Sequence, residues 1–553
     1  MKSIVILIIL VVSSTIYAQD TKNGPDAAIW LDNGFIGGVD HKVTTKSAEA
    51  QKYFNQGLGC IYGFNHEAAI NSFKQAIKLD PDMAMAYWGI SFALGSNYNV
   101  SADAAALTGA YTYLQKAQAA APKVSQAEQD YIAALAQRYS ADPKSDQSKL
   151  AMAWSKAMGN LSKKYPDDMD AATLYAESMM NLHPWQLWST DGKPNEGTPE
   201  IIAVLESVLK RDPNHIGANH YYIHAVEASP FPERALASAY RLGGLAPSSG
   251  HLVHMPSHIF LRTGDFTAGA KSNDAAIAAD QNYLKRSGST GLYGAMYYNH
   301  NIHMLAASDI GRGDFAGAMK AARQLEANVS PNIKAMPMLE MFLPYQLVTL
   351  IRFHRSDEIM KYQQPVPDAK VTNAWWRFAR GLALAETGKT ADAEKELAAL
   401  REIEKATPFD APIGNSLAQN VYKAADLMLA GEIAGAKGDM MTTIDSLRKA
   451  VDAADLVNYN EPPDFDIPVR EWLGRALLRA GKFVDAEGVY RAELEKHPQS
   501  GRALFGLAEA LDKQGKKASA DIVRQQYQQV WKDADTKLTV AELYGSRTNT
   551  AMK

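Results

Sequence analysis

The sequence predicts an all-α chain, a solenoid of repeated helical hairpins with a concave groove. Three observations carry that prediction. Small and large residues recur in one register at a 34-residue spacing. Turns of the form Gly-Asp-Phe or Gly-Lys-Phe recur at matching points of the register. The alternation of strand and helix patterns that marks a βαβ protein is absent. A chain of 553 residues would ordinarily be several domains, but a repeat array can grow without a single enlarged core.

The repeat is clearest in AQKYFNQGLGCIYGFNHEAAINSFKQAIKLDPDM, residues 50–83. With Ala50 as position 1, Tyr53 is position 4, Gly57 is 8, Ala69 is 20, Phe73 is 24, Ala76 is 27 and Pro81 is 32. Small residues at 8, 20 and 27 let two antiparallel helices approach closely. Large residues fill the space between pairs, and the proline stands where the helix must stop. The register returns from Ile467, with Gly474, Ala486, Tyr490 and Pro498 at positions 8, 20, 24 and 32, and in part from Ala374, with Gly381 and Ala393. This pattern resembles the tetratricopeptide repeat, a helix–turn–helix unit, over most of residues 48–534.

The expected organisation is a signal peptide at 1–18, an N-terminal extension at 19–47, repeats at 48–165, central repeats at 166–327, C-terminal repeats at 328–534 and a tail at 535–553. Residues 84–165, 328–373 and 405–466 read as degenerate repeats. Residues 501–532 read as a further repeat or a capping helix pair. The clearest loops are 189–200, 284–291 and 458–468.

The opening MKSIVILIILVVSSTIYA has a basic residue, Lys2, an apolar run Ile4–Val12 and small residues up to Ala18. It reads as a cleaved secretory signal too short to span a bilayer, so the mature chain is expected to be periplasmic or secreted and not integral to the membrane. The single cysteine, Cys60, excludes an internal disulfide framework. Losing Lys2 takes the formal charge from −4 to −5, so no basic excess exists to attract nucleic acid.

Histidine is the unusual residue. The chain has 13 in 553 residues, yet seven fall between 220 and 303, where the average predicts about two. A repeat beginning at Ile216 places His220 at position 5 and His224 at 9. The next, from Gly250, places His251 at 2, His254 at 5 and His258 at 9. A third, from Asn299, places His300 at 2 and His303 at 5. Positions 2, 5 and 9 share an arc of about 60° on a helix turning 100° per residue. Glu227, at position 12, and Glu177, at position 9 of a repeat from Met169, join the row. The resemblance implies that these positions line the groove, and that the groove commonly holds a protein or peptide partner.

Such a stripe predicts metal ligation. Histidines three or four residues apart can reach one ion from a single helix, and rings on packed helices can share it. The expected ligand set is His220, His224, His251, His254, His258, His300 and His303, with Glu177 and Glu227 as supporting carboxylates. Seven imidazoles exceed one four-coordinate shell, so one or two transition-metal ions are expected. Copper is favoured over zinc by affinity order, iron also suits the donors, and calcium and magnesium do not. Oxidative or hydrolytic chemistry would follow, with no catalytic residue singled out. The alternative is a non-enzymatic scaffold for a protein or peptide in the groove.

No HExxH zinc-protease motif is present, since the segments read HYYIH and HMPSH. His41, His66, His183, His215, His354 and His497 read as ordinary polar residues. Residues 460–464, Asn-Glu-Pro-Pro-Asp, read as a proline-stiffened connector rather than as part of the groove.

Overall fold

A large ring pressed on two glycines sets the geometry of the best-formed hairpins. The computed structural model describes residues 29–544. The expected signal peptide lies outside them. In the first hairpin, α1 (Ala48–Tyr62) and α2 (His66–Leu79) are followed by α3 (Ala84–Ala93). Phe73 of α2 is fully buried between Gly57 of α1 and Gly89 of α3. A Cβ on either glycine would come within 2.5 Å of the Phe73 ring. Ser47 and Asn65 cap the two helices through Ala50 N and Ala68 N, satisfying amides left open at a helix start.

The chain divides into two compact units. The described part of one comprises residues 29–259 and 271–301; that of the other comprises 260–270 and 302–544. The first unit continues through α4 (Met169–Met180), α5 (Thr198–Arg211), α6 (Ile216–Val226), α7 (Gly250–His254) and the start of α8 (Pro256–Thr263). It also holds most of the helix Phe266–Ser287 and the start of α9 (Asn299–Arg312). In the second unit, α10 (Ala418–Ala436) pairs with α11 (Met440–Ala454), α12 (Val469–Arg479) with α13 (Phe483–Lys496), and α14 (Gly501–Lys513) with α15 (Lys517–Val530). There Tyr490 repeats the part of Phe73, lying against Gly474 and Gly506.

The turn glycines are required by backbone conformation. Gly264, Gly313 and Gly481, each leading a predicted turn, sit at φ of 84°, 80° and 71°, the left-handed region that only glycine enters without strain. Among the described residues, strand is confined to a two-residue antiparallel pair, Pro412–Ile413 with Ser416–Leu417, and a single bridge between Trp188 and Pro194. No helix among them is long and apolar enough to cross a membrane.

Two loop boundaries differ from expectation. The helix Phe266–Ser287 runs through the first half of the expected loop at 284–291, because Leu284 continues its apolar face. The expected loop at 189–200 ends early, where Thr198 and Pro199 open α5; proline at a first turn loses no hydrogen bond. Within residues 405–466, which read as a degenerate repeat, α10 and α11 form a regular hairpin that packs Gly431 against Leu447.

Two expectations follow. Gly89→Ala and Gly506→Ala each force a methyl into a buried ring and should cost roughly 1–3 kcal/mol, read as a lower denaturation midpoint. Burial, aided by the charge of Arg138, lowers the His66 pKa to about 4 despite a hydrogen bond that the ring donates to the Ala93 backbone, which opposes it. Its unfolded value is near 6.5, so the neutral ring's contribution is complete above that pH. The contribution is lost as pH falls toward 4, on the order of 3 kcal/mol. Urea unfolding from pH 7 to 4 should show a shallower pH slope in His66→Gln than in the parent.

Candidate metal centre

Helix α6 presents His220 and His224 on one face, one turn apart, and ends at Glu227. Helix α7 presents His251 and His254. Pro256 lacks an amide hydrogen, so the helical run breaks at Met255 and His258 follows on α8. His300 lies at the start of α9. His220, His224, His251, His254, His258 and Glu227 are each at most 2% exposed, and His300 is half-buried.

Three outward nitrogens are anchored, whereas that of His251 has no hydrogen-bond partner. His220 Nδ1 lies 2.6 Å from the carbonyl oxygen of Tyr62. His224 Nδ1 lies 2.9 Å from Glu227 Oε1, and His254 Nδ1 lies 2.8 Å from Asn273 Oδ1. Each partner is an acceptor, so each Nδ1 carries the hydrogen and each Nε2 a lone pair. His258 Nδ1 stands 2.6 Å from Glu227 Oε2.

The inward nitrogens converge. His220 Nε2 is 3.1 Å from His251 Nε2, and His254 Nε2 is 2.7 Å from His258 Nε2. His224 Nε2 is buried without a hydrogen-bond partner. Lone pairs facing each other at such distances repel unless a cation or proton lies between them. Two imidazoles bound to one ion at 2.0–2.1 Å hold their nitrogens roughly 3 Å apart, close to what is seen. Ligand atoms gather in three overlapping groups, each within 4.8 Å: His220, His224 and His251; His254, His258 and His300; and His224, Glu227 and His258. The first two are three-imidazole sets. Glu227 ties one ring of each set to the other.

The electrostatics agree with neutral ligands. Burial, and then the neighbouring imidazoles, hold His220, His251 and His254 well below the usual histidine pKa. Neutral imidazole is the form that binds metals. Burial alone would raise Glu227, but His224 and His258 outweigh it and bring its carboxyl down to about 2.

Two predicted ligands stand elsewhere. Glu177 on α4 is buried, but its Oε1 accepts from Asn181 Nδ2 at 2.5 Å and it joins none of the three groups. Burial raises its pKa against the charge of Arg138. His303, three residues after His300, is rotated about 60° around α9. Its ring lies edge-on to Tyr345, with centroids 4.2 Å apart, and to Phe342, and it joins none of the groups either.

The expectation of an open, histidine-lined groove also needs correction. The turn after α1 lies over the stripe. Phe64 stacks on His224 and His251, at centroid distances of 6.0 and 5.5 Å. Tyr98 and Trp185 flank His224, and Tyr297 flanks His251. Phe64 adopts φ 53°, rare for an aromatic residue, which the sequence Gly-Phe-Asn did not advertise. Gly250 is more than a register mark. The Asp280 carboxylate fills the space a Cβ would need, and it accepts from Tyr293 Oη and Asn301 Nδ2.

Sequence reasoning missed Asn273 and the Tyr62 carbonyl, because main-chain and distant amide partners leave no spacing signal. It also read His41 and His215 as ordinary. They meet at Asp170, which accepts from His41 Nδ1 at 2.8 Å, His215 Nε2 at 3.2 Å and Tyr62 Oη at 2.5 Å. His215 Nδ1 accepts from Ala218 N, so both its nitrogens are committed to the fold. Asp168, which shares a ligand-like grouping with His41 and Asp170, caps α4 and accepts from Tyr131.

The described residues form an all-α array of helical hairpins, part of which matches the tetratricopeptide repeat. The sequence model of that repeat matches residues 473–529, which run from α12 into α15. Among solved structures, the human IFIT1 dimer with m7Gppp-AAAA is 12% identical, covering 91% of this chain and 96% of that one, with a TM-score of 0.32. Yeast Tom70 is 10% identical, covering 87% and 93%, with a TM-score of 0.28. The APC/C hetero-tetramer Cut9-Hcn1 is 11% identical, covering 90% and 96%, with a TM-score of 0.29. Likenesses at this level carry no functional argument. No curated protein matches the chain.

Gly250→Ala should displace Asp280 from Tyr293 and Asn301 and shift α7. The expected outcome is a loss of more than about 2 kcal/mol of stability, since a buried network is broken and a Cβ inserted, checked by denaturant unfolding.

Proposed function

We propose that this protein is an exported metalloprotein that holds two transition-metal ions within its tetratricopeptide repeats. One ion is bound by His220, His224 and His251, the other by His254, His258 and His300. The single observation that carries the reading is the convergence of imidazole Nε2 atoms, with acceptors on Nδ1 of His220, His224 and His254. Carboxylate, carbonyl and amide partners on the far nitrogen are the usual means of orienting a ligating histidine. Export rests on the apolar N-terminal run.

Copper suits two all-imidazole sets best, with zinc next and iron third. Three protein ligands leave a position open on each ion. Enclosure by Phe64, Tyr98, Trp185 and Tyr297 limits what reaches that position to small molecules such as dioxygen or water. Oxidative chemistry is favoured over hydrolysis, because Glu227, the nearest carboxylate, is engaged by two histidines and is not available as a general base.

A second reading, a scaffold for a protein or peptide, is supported by the tetratricopeptide repeat itself. The buried histidines would take no part in such binding.

The test is metal content. Chain purified without a tag should carry close to two equivalents of copper or zinc by elemental analysis. His220→Ala and His254→Ala should each lower the content to about one with helicity retained. Glu227→Gln keeps all six imidazoles but loses the carboxylate that orients two of them, and should weaken affinity about 10- to 100-fold. Absence of any stoichiometric transition metal, with no rise in unfolding temperature on adding Cu(II) or Zn(II), would sink the reading.

A further inference from the structure

The second unit contains a small open cleft. Its walls are mostly apolar: Met341, Pro344, Val348, Val371, Ile413 and the prolines 462 and 463. Its polar lining is His303, Tyr345, Trp375, Asn460, Asp464 and Asp466. The Asn-Glu-Pro-Pro-Asp segment that read as a plain connector supplies one wall.

His303 is the unusual member. It is 5% exposed, and both ring nitrogens are buried without a hydrogen-bond partner. A buried polar group left unpaired is a cost that native folds seldom carry without a reason. Burial lowers its pKa to about 3, so the ring is neutral and one nitrogen offers a lone pair in either tautomer.

The carboxylates differ. Asp466 is committed: it pairs with Arg352 Nη1 at 3.1 Å and accepts from Tyr345 Oη at 2.6 Å. Asp464 accepts from Asn460 Nδ2 at 2.6 Å, from Asn415 N at 3.1 Å and from Ser416, but no lysine or arginine lines the cleft to balance its charge. Burial pushes Asp464 up to about 6 against these hydrogen bonds. A cation in the cleft would give that carboxylate its counter-charge.

We infer that this cleft binds a small organic ammonium ion, with Asp464 as counter-charge, the His303 lone pair as acceptor and the Trp375 and Tyr345 rings as apolar walls. An anion would face two carboxylates. A neutral alcohol would forgo the charge of Asp464. Aromatic surface beside a carboxylate is the usual chemistry for organic cations. The inference stands apart from the metal reading, since neither His303 nor Asp464 belongs to the proposed ligand sets.

The test uses the full chain and three matched probes: benzylamine, benzyl alcohol and benzoate. Calorimetric or NMR titration at pH 7.5 should show saturable benzylamine binding at least about tenfold tighter than the alcohol, with no benzoate binding. His303→Ala and Asp464→Asn should each weaken benzylamine binding about tenfold or more, with metal content and unfolding temperature unchanged. Three results would overturn the inference: benzylamine failing to saturate below about 10 mM, the alcohol binding as tightly, or both variants binding like the parent. Should a variant misfold, the probe series on the unaltered chain decides.

Discussion

The hydrogen bond between His220 and the carbonyl of Tyr62 is the contact on which the rest of the centre depends. A carbonyl can only accept, so it fixes the hydrogen on Nδ1 and leaves Nε2 a bare lone pair facing its neighbours. The same residue sends its hydroxyl to Asp170, where His41 and His215 also converge. One tyrosine thus joins the end of the first helix to the base of the histidine stripe. The turn that follows it carries Phe64 over the rings. Tyr62, Glu227 and Asn273 pair the outward nitrogens of His220, His224 and His254, which lowers the cost of burying those rings.

This arrangement uses the repeat in an unusual way. A tetratricopeptide helix offers one face to its neighbours and another to whatever fills the groove. Here the face that would meet a partner meets the chain's own N-terminal turn and the rings of Tyr98, Trp185 and Tyr297. Enclosure changes the energetics. In a low-dielectric surround a second positive charge among these rings is strongly disfavoured, which keeps His220, His251 and His254 neutral and their lone pairs available. The carboxylate of Glu227 is the one negative charge inside the group, and it touches a ring from each three-imidazole set.

The histidine row divides between two environments. His300 turns toward His254 and His258, whereas His303, three residues on, faces Tyr345 and lines a separate cleft. A helix separates neighbours three apart by about 60°, enough for two environments to claim them. Phe342 and Tyr345 decide the orientation of His303. No spacing rule within the row could have supplied that.

By itself the sequence determined the fold class and the row. The recurrence of Gly57 and Phe73 as Gly474 and Tyr490 is a packing rule, one ring between two glycines, and it is legible because it repeats at constant spacing. The positions of His220, His224, His251, His254, His258 and His300 were legible for the same reason: helical periodicity turns spacing into a shared face. Only the tertiary structure decided which nitrogens point inward, that Glu227 belongs and Glu177 does not, that the stripe is covered by Phe64, and that Gly250 makes room for Asp280. Those outcomes depend on atoms far apart in the chain, such as Tyr62 with His220 and Asn273 with His254. Contacts of that kind are set by how hairpins pack, and packing leaves no periodic trace in the sequence.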